Sequence, residues 1–363
     1  MDRRNFLHAA ALALPATTLL PASNRAMAAG NAPATDWRVF EVTTRVDVQK
    51  PAGRTRVWLP VPLVKDTDFQ KSLGNVWTAD SGSASLASDP KYGAGIVAAE
   101  FAEGAAPVLV LTSRFATRDR DLDLAKPANP APLGKAEFAL YTEATELLPT
   151  DGIVRDTARE ITKGARGEVE KARAIYEWIV DNTFRDPKTR GCGVGDIRFM
   201  LESRNLSGKC ADLNALFVGL ARSVGVAARD VYGVRVADSQ RGFKSLGKAG
   251  DITKAQHCRA EFWSPAHGWV PVDPADVRKV VLEEKPGITL ADEAPQRARK
   301  MLFGAWEMNW LAYNTAHDLA LPGAKGKIGF FMYPCCETAE GRLDSLDPAT
   351  FKYQITSREL SFG

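Results

Sequence analysis

The chain lacks an apolar run long enough to cross a bilayer. The stretch from Ala9 to about Ala22 is interrupted by Pro15 and Pro21 and falls short of the roughly 20 residues a spanning helix needs. It also lacks a Lys/Arg-rich block, and its formal net charge at pH 7 is only +3, so nothing in it reads as a nucleic-acid partner's surface. No C-x-x-C pair is present, which argues against zinc. No EF-hand-like acidic run supports calcium. No cofactor or metal is therefore expected, and no internal repeat is found. Cysteine is scarce, with five in 363 residues. In an oxidising compartment an odd count leaves one thiol unpaired if the others bridge, and a free thiol is what a cysteine nucleophile requires. Cys335-Cys336 could form a vicinal bridge or remain two ordinary thiols. The pairing of Cys192, Cys258, Cys335 and Cys336 stays open.

What is present is an ordinary folded composition, 45% hydrophobic and 25% charged, over a length that one hydrophobic core seldom serves, so two domains and a tail are expected. The chain starts with Asp2-Arg3-Arg4-Asn5-Phe6-Leu7, continues through the short apolar stretch, and reaches Ala26-Met27-Ala28, an A-x-A site. Residues 1–28 read as a twin-arginine signal peptide, and an uncleaved anchor is the alternative. The expected location is periplasmic or secreted, with no integral membrane span after cleavage. The twin-arginine route carries folded proteins, so folding is expected in the cytoplasm.

Residues 36–125 read as a β-rich N-terminal domain. Trp37 to Val42, Thr55 to Leu59 and Val108 to Leu111 are β-branched and aromatic runs separated by Gly, Asp and Ser, the pattern of a small antiparallel sandwich. A proline-rich linker follows, from Ala125 to Pro132. From about Thr142 the pattern turns helical. Val169, Ala172, Ile175, Tyr176 and Ile179 recur at spacings of three and four, one buried face. Residues 186 to 209 look loop-like. A second helix starts at Cys210 or just before it, with Leu213, Leu216, Phe217, Leu220 and Val224 as its stripe and Gly225 as its stop. Strands are expected at Arg229 to Val236, Cys258 to Trp263 and Trp269 to Val272. A polar loop, Ala237 to Ala255, separates the first two and is a candidate lid or a mobile surface loop. Residues 142–290 form the expected core. Residues 291–363 form a C-terminal extension, helical from about Glu293 to Ala320, then strands at Ile328 to Tyr333 and Phe351 to Ile355.

The chemistry concentrates in two places. In Ser207-Gly208-Lys209-Cys210 a glycine allows tight entry and the thiol sits on a first helical turn. There, free N–H groups and the positive end of the dipole favour a thiolate and a developing oxyanion. In Gln256-His257-Cys258-Arg259-Ala260-Glu261-Phe262, alternation puts His257, Arg259 and Glu261 on one face and Cys258, Ala260 and Phe262 toward the core. The returning strand ends at Asp273. Any odd-numbered loop between Ser264 and Gly268 leaves His257 and Asp273 on the same face as diagonal neighbours. A carboxylate there would fix the imidazole tautomer and stabilise its charged form; a surface ion pair is the plainer alternative. Thiol, imidazole and carboxylate together make a nucleophile, base and orienter.

The blocks Gly208-Lys209-Cys210-Ala211-Asp212, Ala221-Arg222-Ser223-Val224-Gly225-Val226-Ala227-Ala228-Arg229, the His257 strand and Gly268-Trp269-Val270-Pro271-Val272-Asp273-Pro274 resemble the transglutaminase-like superfamily over roughly residues 150 to 280. Gln256 to Glu261 and Pro274 to Arg278 look like an exported bacterial subgroup of it. The resemblance implies an α+β fold, a papain-like transglutaminase core preceded by a β-sandwich-like domain. It also implies that Cys210 is the nucleophile, His257 the general base and acid, and Asp273 its orienter. One feature departs from the animal enzymes, whose oxyanion is held by a tryptophan upstream of the cysteine. Trp178 falls inside an expected helix and does not inherit that role; Phe184 and the loop around Asp196 are weak alternatives.

Other readings carry less. Cys192, Cys210, His257 and Cys258 are ligand-type residues, but His257 and Cys258 are consecutive on a strand and face opposite ways. His267 and His317 read as solvated or structural. Trp306, Glu307 and Trp310 read as helical core, or as the wall of a cleft. The expected function is an exported cysteine enzyme acting on peptide or isopeptide amides through a thioester. Hydrolysis is favoured, and the substrate is a protein or peptide such as a cell-wall peptide. A crosslinking acyltransferase and a non-catalytic periplasmic binding module are the alternatives.

Overall fold

The computed structural model describes residues 36–361. The leader expected at 1–28 lies outside the described residues, and among those described no helix is long and apolar enough to cross a membrane.

Alternation makes the first layer. Arg38–Val48 buries every second side chain along most of its length, the signature of a strand with one face on a core. It pairs antiparallel with Val108–Thr117 on one side and with the C-terminal strand Phe351–Leu360 on the other. Gln70–Asp80 and the short Gly250–Asp251 complete this five-stranded sheet. A second five-stranded sheet runs Gly341–Arg342, Cys335–Thr338, Thr55–Pro60, Gly95–Phe101, Gly82–Ser88. Val46, Val57, Leu59, Val97, Leu109, Leu111 and Phe351 fill the space between. The β-rich N-terminal layer is thus a sandwich, and the residues expected as a C-terminal extension supply strands to both of its sheets.

A four-stranded antiparallel sheet builds the second layer, in the order Gly268–Val272, Gln256–Ser264, Ala228–Arg235, Trp310–Asn314. The Cys210–Ser223 helix packs on one face, with Phe217 against Phe262 at a ring separation of 6.4 Å. Its apolar stripe is where the spacing placed it. Its end is a Schellman turn: Val226 N–H donates to Ala221 O, Gly225 N–H donates to Arg222 O, and Gly225 has φ +80°, a conformation glycine adopts without Cβ strain. Helix Gly167–Asn182 adds Ala172, Ile175, Tyr176 and Ile179 to the same core. The fold is α+β, a helix-backed antiparallel sheet preceded by a β-sandwich, as the motifs implied.

One expectation fails. The segment from Glu293 to Ala320 is helical only over Glu293–Met301; Trp310–Asn314 and His317–Leu319 are strands. All five residues of Trp310–Asn314 are buried, because the N-terminal layer closes over the sheet there: Leu63 N–H and Gln70 Nε2 both donate to Ala312 O. A strand buried on both faces shows no alternation, and Trp306 and Trp310, at helical spacing, read as a helix face. The region from 186 to 209 also holds more order than expected, a short helix at Ile197–Glu202 and a parallel bridge between Phe184–Arg185 and Ser207–Gly208.

Candidate active site

Cys210 is the first residue of its helix, with Lys209 as N-cap. The start is anchored by Asp212, whose Oδ2 accepts the Lys209 N–H at 2.9 Å while its Oδ1 accepts the N–H groups of Val194 and Gly195, each at 2.9 Å. One carboxylate therefore ties the 191–195 loop to the helix start, and Ala211 N–H donates to Cys192 O across the same junction. Two glycines make room for it. A Cβ at Gly208 would lie 2.4 Å from Asp212 Oδ2, and one at Gly193, where φ is +97°, would lie 1.8 Å from it.

Behind the helix, Gln256–Ser264 and Gly268–Val272 pair with Ser264 opposite Gly268, leaving a three-residue loop. That odd count keeps His257 and Asp273 on one face. His257 Nε2 and Asp273 Oδ2 are 2.7 Å apart. Asp273 is also the N-cap of helix Pro274–Glu283: its Oδ1 accepts Asp276 N–H at 3.1 Å and Asn214 Nδ2 at 3.2 Å. Asn214 lies one turn beyond Cys210 on the same helix face, so a single side chain links the thiol's helix to the carboxylate. The expected polar face is not solvated. His257, Arg259 and Glu261 are all buried, under Trp306, Met308 and Trp310. Trp306 and Trp310 are core, as expected, though not on a helix; both stack on the Arg259 guanidinium, and Trp310 Nε1 donates to His257 O at 2.9 Å.

Three charged groups with no role assigned from sequence bear on the pair. Asp276 Oδ2 lies 3.4 Å from His257 Nε2. Arg235 grips both Asp276 oxygens at 2.6 and 2.8 Å, and Arg259 Nε lies 3.7 Å from Asp273 Oδ2. Asp276 sits three residues past an N-cap in Asp-Pro-x-Asp, a helix-start pattern that could have flagged it; alternation puts Arg259 on the His257 face, whereas Arg235 gives no local signal. The ligand atoms of His257, Asp273 and Asp276 lie within 4.8 Å of one another, but the two guanidiniums already place positive charge against these carboxylates.

The electrostatics follow from these contacts. For His257, burial and Arg235 oppose protonation, yet Asp276, Asp273 and the hydrogen bond to Asp273 outweigh them and raise its pKa to about 10. Burial would neutralise Asp276, but Arg235 and the imidazolium hold it well below the usual carboxylate range. Burial and the neighbouring Asp276 charge push Asp273 up. Hydrogen bonds from Cys192 and Cys258 are the largest causes lowering the Cys210 pKa well below 9; burial opposes them and His257 adds to them. With Nε2 committed to the carboxylates, Nδ1 is the ring nitrogen left for the thiol. Cys192 and Cys258 move the other way, well above the ordinary thiol. All five cysteines are free and buried.

Cys210 and His257 line one cleft of about 1080 Å³. The 237–255 loop forms one wall and is pinned rather than loose: Leu246 O accepts from Arg235 and Asn309, and Glu284 accepts from the N–H groups of Lys244 and Ser245. Gln256, Tyr333 and Cys192, none assigned from sequence, also face the cleft. Trp178 and Phe184 do not line it, and Asp196 caps helix Ile197–Glu202. His267 is half-buried in its turn, and His317 is buried 3.2 Å from Asp230.

Residues 155–274 match the family model described as the transglutaminase-like superfamily. A protein of Haemophilus influenzae, itself uncharacterised, is 34% identical over 353 residues, which cover 90% of this chain and 93% of that one. Among solved structures, a Cytophaga hutchinsonii protein named as a candidate cysteine protease aligns over 90% of this chain and 92% of its own, with 14% identity and a TM-score of 0.56. At that identity the likeness is one of fold.

Proposed function

Because the chain belongs to the transglutaminase-like superfamily, we propose that it is an exported cysteine enzyme that cleaves peptide or isopeptide amides through a thioester on Cys210. One observation carries the reading: an acidified thiol on a helix start shares a cleft with an imidazolium held by two carboxylates. A helix-start thiolate beside a charged histidine is the resting state of a thiol nucleophile.

In the proposed sequence, Cys210 Sγ bonds to the amide carbon, the C–N bond breaks, and the amine leaves with the proton carried by His257. His257, now neutral, takes a proton from water as the oxygen adds to the thioester. The C–S bond then breaks, the carboxylic acid departs, and the thiolate–imidazolium pair is restored. Asp273 keeps the ring in the tautomer that presents Nδ1 to the sulfur. Two donors suit the oxyanion. The Cys210 N–H, at the first helical position, has no intrahelical acceptor. Gln256 Nε2 is buried without a hydrogen-bond partner on the cleft wall, and a buried amide with no partner is costly unless a ligand satisfies it.

Transfer to an amine would use the same intermediate, so a crosslinking acyltransferase differs only in what resolves the thioester. A binding module that merely keeps the fold would have no use for a lowered thiol pKa. The proposed substrate is a protein or peptide, with cell-wall peptides among those within reach of an exported enzyme. The paired arginines and the A-x-A site support the twin-arginine route and a periplasmic or secreted location. The test is a peptide library incubated with and without a primary amine and read by mass spectrometry, with Cys210→Ala as control. New carboxylic acids that depend on Cys210 support hydrolysis, amine adducts support transfer, and unchanged peptides refute both.

A further inference from the structure

The cleft is far more basic than the chain that builds it. The formal net charge is +3 over the whole sequence, yet eight lysines and arginines line this one cavity against a single carboxylate, Asp251. Four of the eight are paired, with three carboxylates among them: Arg235 with Asp276, Arg190 with Asp344, and Arg185 and Lys279 with a shared Glu283. The other four, Lys209, Lys248, Lys254 and Lys352, have no ion-pair partner among the described residues. They come from three unconnected segments: the N-cap before Cys210, the pinned 237–255 wall, and the C-terminal strand Phe351–Leu360. Lys209 is half-buried and the other three are exposed, so their charges are available to a ligand. Phe351, Tyr353 and Tyr333 stand among them and supply low-dielectric wall that focuses the field into the cleft.

We propose that this cleft selects acyl donors bearing carboxylates next to the scissile amide, and that the same positive charge keeps polycationic amine nucleophiles out, so that water resolves the thioester. The inference rests on the acyl-enzyme reading above and sharpens it. It names the substrate class, an acidic peptide, and gives a reason for hydrolysis that the triad alone does not contain. An amine must lose its proton before it can attack; a diamine or a peptide rich in lysine still carries another positive charge when its attacking nitrogen is neutral, and a cationic cleft depletes that species locally, whereas water is unaffected. The atoms balance as for simple hydrolysis: the thioester C–S bond breaks, a C–O bond forms, one water proton stays with the acid and the other with His257 beside the restored thiolate, and no further reactant is needed.

The experiment uses the full-length chain and one peptide scaffold whose central amide, offered both as a backbone peptide bond and as a γ-glutamyl isopeptide bond, is flanked by Glu-Glu, Gln-Gln or Lys-Lys. Acylation of Cys210 is followed by mass spectrometry at about 20 mM and about 500 mM salt, conditions that span strong and weak screening. The Glu-flanked donor is expected to acylate about 30-fold faster than the Lys-flanked one at low salt, a ratio that shrinks several-fold at high salt. Lys254→Glu with Lys352→Glu, both at exposed positions, should bring that ratio near one or invert it. In a second arm the preformed thioester is offered putrescine, a dication, or hydroxylamine, which is neutral. Hydroxylamine should compete with water and putrescine should not, until the two lysines are reversed. Equal acylation by acidic and basic donors, or free use of putrescine by the wild type, overturns this proposal while leaving the acyl-enzyme reading intact. Absence of a thioester with every peptide overturns both.

Discussion

Asp276→Asn removes one of the two carboxylates that hold the His257 ring charged, and the geometry sizes its effect. The carboxylate lies 3.4 Å from Nε2, and at an effective dielectric of about 20 Coulomb's law gives about 5 kcal/mol for that pair. At about 1.4 kcal/mol per unit this is an upper limit of about 3.5 pK units. His257 stands at about 10 in the intact site, so its midpoint should fall to about 7 in the variant. Asp273, at 2.7 Å, still orients the ring. The readout is the Cε1–H resonance of His257, one of four histidines in the chain, titrated from pH 5 to 11 and assigned by its loss in His257→Gln. Linkage supplies a second readout. A histidine raised from 6.5 to about 10 contributes stability that is complete below 6.5 and is lost as the pH rises through about 10. The variant should lose most of the wild type's decline in stability between pH 7 and 10. Leaving buried Arg235 unpaired costs about 3–5 kcal/mol; the double variant Asp276→Asn with Arg235→Gln removes that charge and serves if the single variant unfolds. A wild-type His257 that titrates near 6.5, or a shift smaller than about one unit in the variant, would refute the reasoning.

Three further outcomes are expected. Cys210→Ser should abolish the thioester and reduce turnover by about 10⁴-fold or more while the thermal midpoint stays within a few degrees; retained turnover would move the nucleophile elsewhere. Gly208→Ala drives a methyl into Asp212 and should destabilise the chain by about 1–3 kcal/mol. It should also free the 191–195 loop, moving the onset of iodoacetamide labelling of Cys210 to higher pH. Gln256→Leu should lower kcat about 10²-fold with KM little changed, the signature of a donor used only by the oxyanion; a change in KM alone would make Gln256 a binding contact.

The parts of the fold that could be read in advance share a cause. The helix from Cys210 was legible because its stripe, its entry glycine and its stop at Gly225 are all within one covalent segment. The common face of His257 and Asp273 was legible because strand parity and an odd loop determine it, whatever packs above. Other features had no local trace. Trp310–Asn314 was misread as helix since burial on both faces erased the alternation that marks a strand. The strand from Phe351 gave its secondary structure but not its partner, and Cys335–Thr338 was not legible as a strand at all, because pairing with Arg38–Val48 and Thr55–Pro60 spans nearly the whole chain.

The same division runs through the site. Which atoms do chemistry, a sulfur at a helix start and an imidazole beside a carboxylate, follows from backbone periodicity and connectivity, properties a linear string carries. How strongly those atoms are charged does not. Asp276, Arg235 and Arg259 act on His257 only because the tryptophan layer excludes water from between them, and the unpaired lysines matter only because three distant segments line one cavity. Electrostatic energy depends on distance and on what fills the intervening space, and both are set when the chain packs.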